Sequence, residues 1–152
     1  MARTHVLRSS MILPQPLETV FEFFRRAENL EAITPPRLRF RILSASPISI
    51  RQGTVIDYDL RLFGWRFGWT SLITSWNPPY AFTDEQVKGP YAEWVHHHRF
   101  APRAGGTVVS DEVHYRLPLA PLSLLALPVV KLQLKQIFAF RERAIRKLLA
   151  TP

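Results

Sequence analysis

The sequence predicts one α+β domain: a strand and two short helices, then an antiparallel sheet, and finally a long helix that closes over the sheet. Residues 38–117 alternate apolar and polar side chains with a period of two, which is typical of half-buried strands. Short turns join these strands and no helix intervenes, so neighbouring strands must run antiparallel. Residues 128–149 change to the helical spacing, with a broad apolar face over about six turns.

The size and composition of the chain fit one domain over residues 1–152. The chain is 47% hydrophobic, which is enough for one core, and it is too short for two comfortable domains. It contains no cysteine, which excludes disulfides and thiolate chemistry. Residues 1–6 lack the apolar run of a signal peptide, and the longest apolar stretch, residues 117–130, is short and broken by prolines. We therefore expect a soluble, cytoplasmic protein.

The chain is strongly basic, with a formal net charge of +8. Such a charge permits attraction to nucleic acid or to anionic membranes. The basic residues are scattered, however, and no basic block is longer than Arg25-Arg26. The sequence also lacks the aromatic-plus-basic repeats that stack single-stranded nucleic acid. We predict a solvated basic surface and no nucleic-acid partner, and weak contact with an anionic membrane stays open.

The N-terminal part of the chain indicates one strand and two short helices. Residues 5–12 alternate loosely and predict a strand. Pro16 suits the first turn of a helix, and apolar side chains then follow at i, i+3, i+4 and i+7. These side chains are Leu17, Val20, Phe21 and Phe24. A second short helix is predicted over residues 27–33, and Thr34-Pro35-Pro36 ends it.

The middle of the chain predicts six further strands whose connections carry turn residues. The strands are residues 38–42, 55–62, 65–76, 81–88, 91–100 and 107–117. The connections include Gln52-Gly53, Gly64, Asn77-Pro78-Pro79, Gly89-Pro90 and residues 103–106. Together with the first strand, these elements form a meander of six to seven strands.

One residue interrupts the apolar face of the C-terminal helix. The face consists of Val130, Leu134, Ile137, Phe138, Ala144, Ile145 and Leu148. Arg141 lies near its middle. A guanidinium cannot lose its charge to escape burial, so it needs an anion, a set of acceptors or water. The helix is therefore predicted to close over an interior that is not wholly apolar.

The strand positions that share a face with the bulky residues also carry polar groups. Those positions hold the aromatic residues Tyr58, Phe82, Trp94 and Tyr115 and the polar residues Asp84, Gln86, His96, His98 and Asp111. An ordinary core would show Val, Ile and Leu there. Because burying an unpaired polar group costs about 1–3 kcal/mol, the set indicates a hydrogen-bonded network or the wall of a solvated cavity. A cavity also explains the broad apolar face of the helix.

Sequence stretches along nearly the whole chain match the pattern of one known superfamily. They are residues 20–24 (VFEFF), 29–30 (NL), 33–36 (ITPP), 53–58 (GTVIDY), 82–86 (FTDEQ), 89–91 (GPY), 94–100 (WVHHHRF), 111–115 (DEVHY) and 137–141 (IFAFR). With the order of elements, they make the chain resemble the START-like helix-grip superfamily (SRPBCC), in which a curved antiparallel sheet grips a long C-terminal helix. That superfamily includes birch-pollen-allergen-like proteins and the polyketide cyclase/dehydrase and lipid-transport families, and the chain looks most like its small stand-alone bacterial members.

The resemblance implies a cavity that binds a hydrophobic or amphipathic small molecule, such as a lipid or a polyketide-like compound. It implies no particular reaction, because most such members share no catalytic constellation. The candidate ligand-binding residues are Tyr58, Phe82, Asp84, Gln86, Trp94, His96, His98, Asp111, Tyr115, Phe138 and Arg141. Asp84, Asp111 and Arg141 either form a salt bridge that fixes the helix over the sheet, or orient the carboxylate or hydroxyl groups of a ligand.

The same residues suit acid/base catalysis, and two of them suit a metal. The catalytic candidates are His96, His98 and Asp111, with a carboxylate orienting a histidine. His96 and His98 share a strand face, and a carboxylate from Asp111 or Asp84 would complete a site for zinc or ferrous iron. We expect a hydrogen-bonded pocket wall instead, with no metal and no cofactor. Whether the protein is an enzyme stays open.

Three functions remain open on the sequence alone. The first is binding of a hydrophobic or amphipathic small molecule, and the second is a cyclase/dehydratase-type enzyme that uses a His–Asp pair in the same cavity. The third is a lipid carrier that acts at membrane surfaces through residues 117–130, an apolar segment beside Lys131 and Lys135. That segment either packs on the sheet edge or the short helices, or forms a mobile flap over the cavity mouth. The ligand and the oligomeric state stay open.

Overall fold

A computed structural model describes residues 3–45 and 47–150 of the chain. Its strands are β1 (His5–Leu13), β2 (Arg41–Ile42), β3 (Val55–Leu62), β4 (Trp65–Asn77), β5 (Ala81–Lys88), β6 (Glu93–Arg103) and β7 (Gly106–Arg116). Its helices are α1 (Leu17–Arg25), α2 (Asn29–Ala32) and α3 (Leu127–Leu148), with 3₁₀ turns at Pro36–Leu38 and Leu122–Leu125. The ends of the predicted domain, residues 1–2 and 151–152, lie outside the described residues.

The strands form one antiparallel sheet in the order β1-β7-β6-β5-β4-β3-β2, which confirms the predicted class. Its hairpins are tight: Leu62 stands opposite Trp65, and the two residues between them, Phe63 and Gly64, have φ angles of 53° and 81°. Positive φ at both positions is the geometry of a two-residue turn whose twist matches the flanking strands. The register of β4 against β5 also shifts twice, and such irregularities bend a strand. These irregularities contribute to the curvature of the sheet against which α3 packs.

Helix α1 covers one end of the curved sheet. The four apolar residues of its predicted face are all buried. The ring of Phe21 lies edge-on to that of Phe100, with centroids 5.4 Å apart, and Phe24 and Phe82 join the same cluster. Aromatic rings in such edge-on contacts contribute beyond their buried area. This cluster therefore anchors α1 and leaves the middle of the sheet to α3.

Helix α3 lies over the sheet with most of the predicted face inward, but Leu148, at the end of the helix, is exposed. Val130, Leu134, Phe138, Arg141 and Ile145 are buried, so the arginine is as enclosed as the apolar residues around it. None of the helices in the described part of the chain is long and apolar enough to span a membrane.

Two predicted elements are shorter in the structure. Of the strand predicted over residues 38–42, only Arg41–Ile42 pairs in the sheet, because the chain turns at Pro36–Leu38 and Arg39 adopts a φ of 47°. A left-handed residue at this point interrupts an extended strand. The helix predicted over residues 27–33 is a single turn, Asn29–Ala32, which the following prolines keep from continuing.

Candidate functional site

A cavity of about 160 Å³ lies between the sheet, α1, the segment after it and α3. Most of its wall is apolar or aromatic. This part of the wall includes Phe24, Leu30, Ile33, Leu38, Phe40, Ile56, Tyr58, Leu60, Trp69, Ile73, Phe82, Tyr91, Trp94, Leu134, Ile137 and Phe138. An apolar cavity of about 150 Å³ in another protein binds benzene, so the enclosed space suits a body of about one ring.

One corner of the cavity is polar and charged. Asp84, His96, His98 and Arg141 contribute to the wall, and Asp111 lies behind them on β7. These side chains come from three neighbouring strands and from α3. Both histidines, Asp111 and Arg141 are buried, and Asp84 is half-buried. The period-two alternation brings them to one face, as the sequence predicts.

The two histidines pair diagonally with the two carboxylates. In the strand ladder, His96 stands opposite Asp84 and His98 opposite Asp111. The hydrogen bonds cross this register: His96 Nε2 donates to Asp111 Oδ1 over 2.7 Å, and His98 Nε2 donates to Asp84 Oδ2 over 2.5 Å. The two imidazole rings stack with centroids 3.7 Å apart. The result is a compact, mutually braced set of two His–Asp pairs.

His98 is a neutral imidazole with one nitrogen free to accept. Burial, followed by the neighbouring His96, lowers the pKa of His98 to about 4 despite the two nearby carboxylates. A neutral ring carries one proton, and the contact with Asp84 places it on Nε2. His98 Nδ1 is then an acceptor, and it forms no hydrogen bond within the described residues. Asp111 Oδ1, at 3.5 Å, cannot donate to it.

Both carboxylates of the corner stay ionised. Burial alone would raise the pKa of Asp111, but the guanidinium of Arg141 and the hydrogen bond from His96 outweigh it and hold this pKa below its ordinary value. The pKa of Asp84 is also lowered: burial opposes ionisation, and the hydrogen bond from His98 outweighs burial. The corner thus holds two carboxylates against one permanent cation.

Arg141 is buried without enough partners for its donors. It is 7% exposed, and its Nη2 lies 3.5 Å from Asp111 Oδ1, an ion-pair distance beyond a good hydrogen bond. Its guanidinium carbon lies 5.4 Å from the ring centroid of Phe24 and 5.9 Å from that of Phe138. Nε and Nη2 form no hydrogen bond within the described residues. Ring faces stabilise the charge partly but do not satisfy directional N–H donors.

The structure brings most of the predicted ligand-binding residues to the cavity wall. Tyr58, Phe82, Asp84, Trp94, His96, His98, Phe138 and Arg141 line it. Asp111 contacts the wall residues from behind. The amide of Gln86 instead binds the backbone of Tyr91, donating to its carbonyl over 2.8 Å and accepting from its N–H over 3.0 Å, so it braces the β5–β6 turn. Tyr115 is buried beyond the lining, against Tyr91.

Sequence reasoning did not identify a second, smaller polar contact in the wall. Trp69 Nε1 donates to Ser71 Oγ over 3.1 Å, and the hydroxyl of Tyr58 lies 3.3 Å from the same oxygen. All three residues line the cavity. In the sequence of β4, Trp65 and Trp69 occupy odd positions and Trp76 an even one, so aromatic content alone could not show which parity points inward. Burial raises the pKa of Tyr58, so its hydroxyl stays protonated and can donate.

Asp84, His96 and His98 also have the composition of a metal site. Each offers one donor atom, and these atoms lie within 4.8 Å of one another. Two imidazoles and a carboxylate are ligands for zinc or ferrous iron. In this arrangement, however, the imidazole N–H groups already satisfy the carboxylates. The expected absence of a metal stays a prediction.

Comparisons with known proteins agree with this architecture. The profile of the family described as "Polyketide cyclase / dehydrase and lipid transport" matches residues 13–139. A comparison with curated proteins finds no match.

Three solved structures illustrate the likeness in fold. TTHA0849 from Thermus thermophilus has 17% identity and a TM-score of 0.72, over 97% of this chain and 100% of that one. Major latex-like protein 151 from Panax ginseng has 14% identity and a TM-score of 0.67, over 97% and 99% of the two chains. The di-domain ARO/CYC StfQ from the steffimycin biosynthetic pathway has 12% identity and a TM-score of 0.74, over 97% of this chain and 51% of that one.

Proposed function

Because the chain belongs to the polyketide cyclase/dehydrase and lipid transport family, we propose that it binds an amphipathic small molecule in the cavity under α3. The apolar body of the ligand would lie among the aromatic and aliphatic side chains of the wall. Its polar end would lie in the charged corner. Sites of this kind combine an apolar lining with a few polar groups that fix orientation.

The observation that carries this proposal is the unsatisfied guanidinium of Arg141. Two of its buried nitrogens lack hydrogen-bond partners within the described residues, and its side chain lines the cavity. Leaving a buried donor unsatisfied costs about 1–3 kcal/mol, more where the group is charged. A ligand oxygen in the corner would accept these N–H groups and remove that cost. The unsatisfied donors therefore support a ligand that carries an oxygen.

The charge of the corner favours a neutral oxygen over a carboxylate. Asp84 and Asp111 are ionised, and Arg141 is the one permanent cation among them. A ligand carboxylate would place a third anion in a buried cluster that already contains two. A hydroxyl or carbonyl oxygen accepts from Arg141 without this penalty, and a hydroxyl can also donate to His98 Nδ1. The expected ligand is a one-ring or short-chain body with a hydroxyl or carbonyl group.

A matched pair of probes tests this proposal: 4-ethylphenol and 4-ethylbenzoate, which share the same apolar body. Binding is followed by NMR titration of the tryptophan indole N–H signals, since Trp69 and Trp94 line the cavity. We expect the phenol to bind more tightly than the benzoate. Arg141→Leu, which removes the donors, should weaken phenol binding by about tenfold or more. Arg141→Gln keeps a shorter amide donor. Its affinity for the phenol should lie between those of the wild type and Arg141→Leu.

Arg143→Gln is the matched control, because it removes a cation from the exposed face of the same helix. It should bind the phenol as the wild type does. Equal phenol affinity in the folded Arg141→Leu and Arg141→Gln variants would show that Arg141 only braces the fold. Native mass spectrometry of the protein from its own host, followed by denaturing extraction, would identify a bound compound directly.

A second candidate function, proton-transfer catalysis, rests on the state of His98. A neutral imidazole that is oriented by Asp84 through Nε2 and has a free Nδ1 is arranged as a general base. A cyclase/dehydratase-type reaction would use it to remove a proton from a bound carbonyl compound. For any extracted compound that the protein converts, His98→Ala should abolish turnover and leave affinity intact. Loss of affinity alone would support the binding function.

A further inference from the structure

One end of the molecule exposes large apolar side chains close together. Leu122 and Leu125, in the 3₁₀ turn before α3, are 75% and 85% exposed. Val129 and Leu132, in the first turns of α3, are 54% and 56% exposed. Phe63, at the tip of the β3–β4 hairpin, lies with Val129 and Leu132 along one surface groove. Exposed apolar groups of this number and size on one surface mark a binding site.

Phe63 also has an unusual backbone conformation. Its φ of 53° lies in the left-handed region, where Asn or Gly is less strained than a bulky aromatic residue. The ring is 55% exposed, so it is not held there by burial in the core. A strained, exposed aromatic residue at a hairpin tip suggests a role outside the fold.

Arginines line the groove beside these apolar groups, and lysines lie on the other flank of the first turns of α3. Arg37, Arg39 and Arg61 line the same groove as Phe63, and none of them forms an ion pair within the described residues. Lys131 and Lys135 lie one turn apart on the exposed surface of α3. The sequence from residue 117 to residue 141 contains no acidic residue. This surface therefore combines apolar groups with one sign of charge.

The same surface borders the cavity. Leu38 lines both the groove and the cavity. Leu62, in the cavity wall, is followed directly by Phe63 in the groove, and Gln133 in the groove is followed by Leu134 in the cavity wall. A single layer of side chains thus separates the two. A molecule leaving an apolar phase at this surface would have a short path into the cavity.

We propose that this end, here named the basic–apolar end (Arg37, Arg39, Arg61, Phe63 and residues 122–135), docks on an anionic lipid bilayer. Stable attachment to a membrane surface requires both apolar insertion and attraction to anionic headgroups, and this end supplies both. An anionic bilayer fits this end, because it accepts exposed apolar side chains and attracts cations of one sign without requiring a specific ion pair. The inference goes beyond the proposed function: docking needs no ligand in the cavity.

Vesicle flotation tests this proposal directly. The full-length protein should float with vesicles that contain about 30% phosphatidylserine and much less with pure phosphatidylcholine vesicles. Lys131→Gln/Lys135→Gln should weaken binding about 25-fold, since each cation near an anionic surface contributes roughly fivefold. Leu122→Ser/Leu125→Ser should also weaken vesicle binding. The binding that persists in this variant should be more sensitive to salt than that of the wild type. Both double variants change exposed residues, and circular dichroism checks that they fold.

Arg143→Gln/Lys147→Gln is the matched control. It removes the same number of charges from exposed positions on the same helix, near the opposite end. It should bind vesicles as the wild type does. Equal weakening in both charge variants would mean attraction by net charge alone, and unchanged binding of the leucine variant would exclude apolar insertion. Either outcome, or absence of wild-type binding, overturns the proposal.

The 4-ethylphenol titration separates this proposal from the proposed function. The two docking variants should bind the phenol in solution as the wild type does, because neither changes a residue of the cavity wall. A protein that floats with vesicles but binds no phenol would contradict the cavity proposal alone. A protein that binds the phenol but does not float would contradict the docking proposal alone.

Discussion

Asp111 connects the sheet to α3 in the polar corner. It accepts a hydrogen bond from His96 and lies 3.5 Å from Arg141 Nη2. Among the described residues Arg141 forms an ion pair with Asp111 and none with Asp84, so removing the Asp111 carboxylate leaves the buried guanidinium without its nearest anion, a change that typically costs about 3–5 kcal/mol. We expect Asp111→Asn to lower the free energy of unfolding by about 3 kcal/mol, because Asn keeps the shape and loses the charge. Urea denaturation measures this.

The neighbouring residue of the same strand provides a control for Asp111. Glu112 points to the outer face, where it pairs with Arg8 and His114 near solvent. Exposed ion pairs contribute little, so Glu112→Gln should leave the urea midpoint almost unchanged. If both variants unfold at the same urea concentration, Asp111 does not hold α3 to the sheet.

The buried, neutral state of His98 predicts that the stability of the fold changes within a defined pH range. His96, Asp84 and Asp111 act on its ring, and burial is the main reason that its pKa falls to about 4. In the unfolded chain this pKa is about 6.5, so between these values the unfolded state binds a proton that the folded state does not. Stability should therefore fall as the pH falls from about 6.5 to about 4, by roughly 3 kcal/mol from this residue.

The variant His98→Gln tests that pH range, since glutamine keeps a donor for Asp84 and does not titrate. Urea midpoints measured across the range should decline less steeply in the variant than in the wild type. His97→Gln, on the outer face of the same strand, should change the slope less because its ring is more exposed. If the urea midpoint declines equally steeply with falling pH in the wild type and in His98→Gln, a neutral, buried His98 is contradicted.

At the residue scale, the sequence predicted which side chains face inward but not how they pair. Alternation alone brought His96, His98 and Asp111 to the inner face, where they are buried. The diagonal hydrogen bonds depend on the register between strands and on side-chain rotamers, which alternation does not encode. Gln86 has the inward parity too, but the adjacent turn offers its amide two backbone partners.

Among the elements, the β3–β4 hairpin depends most clearly on one glycine. Gly64 has a φ of 81°, and a Cβ there would meet no atom within 4 Å. The cost of a side chain is therefore conformational and not steric. We expect Gly64→Ala to lower the free energy of unfolding by about 1 kcal/mol, since the left-handed region disfavours L-residues by about that amount. Thermal or urea unfolding measures the change.

Gly68, further along β4, is the matched control. A Cβ there would also meet no atom within 4 Å, but the backbone of Gly68 has no left-handed φ. Gly68→Ala should leave stability unchanged or raise it by up to about 1 kcal/mol, because alanine restricts the unfolded chain. If Gly68→Ala lowers the free energy of unfolding as much as Gly64→Ala does, the turn geometry is not the cause of the loss of stability.

The elements that the sequence predicted well are those bounded by strong turn residues. Strands β3 and β5 have the predicted bounds, because glycine and proline flank alternating residues on both sides. Residues 38–42 also alternate, but the preceding prolines and the left-handed Arg39 leave only Arg41–Ile42 extended. The single turn of α2 shows the same limit: a short apolar pattern does not determine where a helix ends.

At the scale of the whole molecule, the cavity joins two hydrophobic clusters. One cluster contains Phe24 and Phe82 and the other contains Trp69 and Leu134, and all four residues line the cavity. Tyr58 packs against both clusters. The cavity therefore belongs to both clusters, and the wall of the proposed ligand site is also the contact between the two halves of the core. This arrangement favours cooperative unfolding of the predicted single domain.

A cavity ligand should accordingly stabilise the whole fold in one step. We expect a single thermal transition whose midpoint rises with 4-ethylphenol concentration, by about 5–10 °C when the probe is at roughly a hundred times its dissociation constant. The rise should be smaller in Arg141→Leu at the same probe concentration, because the affinity is lower. Calorimetry measures both. Two separate transitions, only one of which moved with the probe, would show that the two clusters unfold independently and that the cavity belongs to one of them.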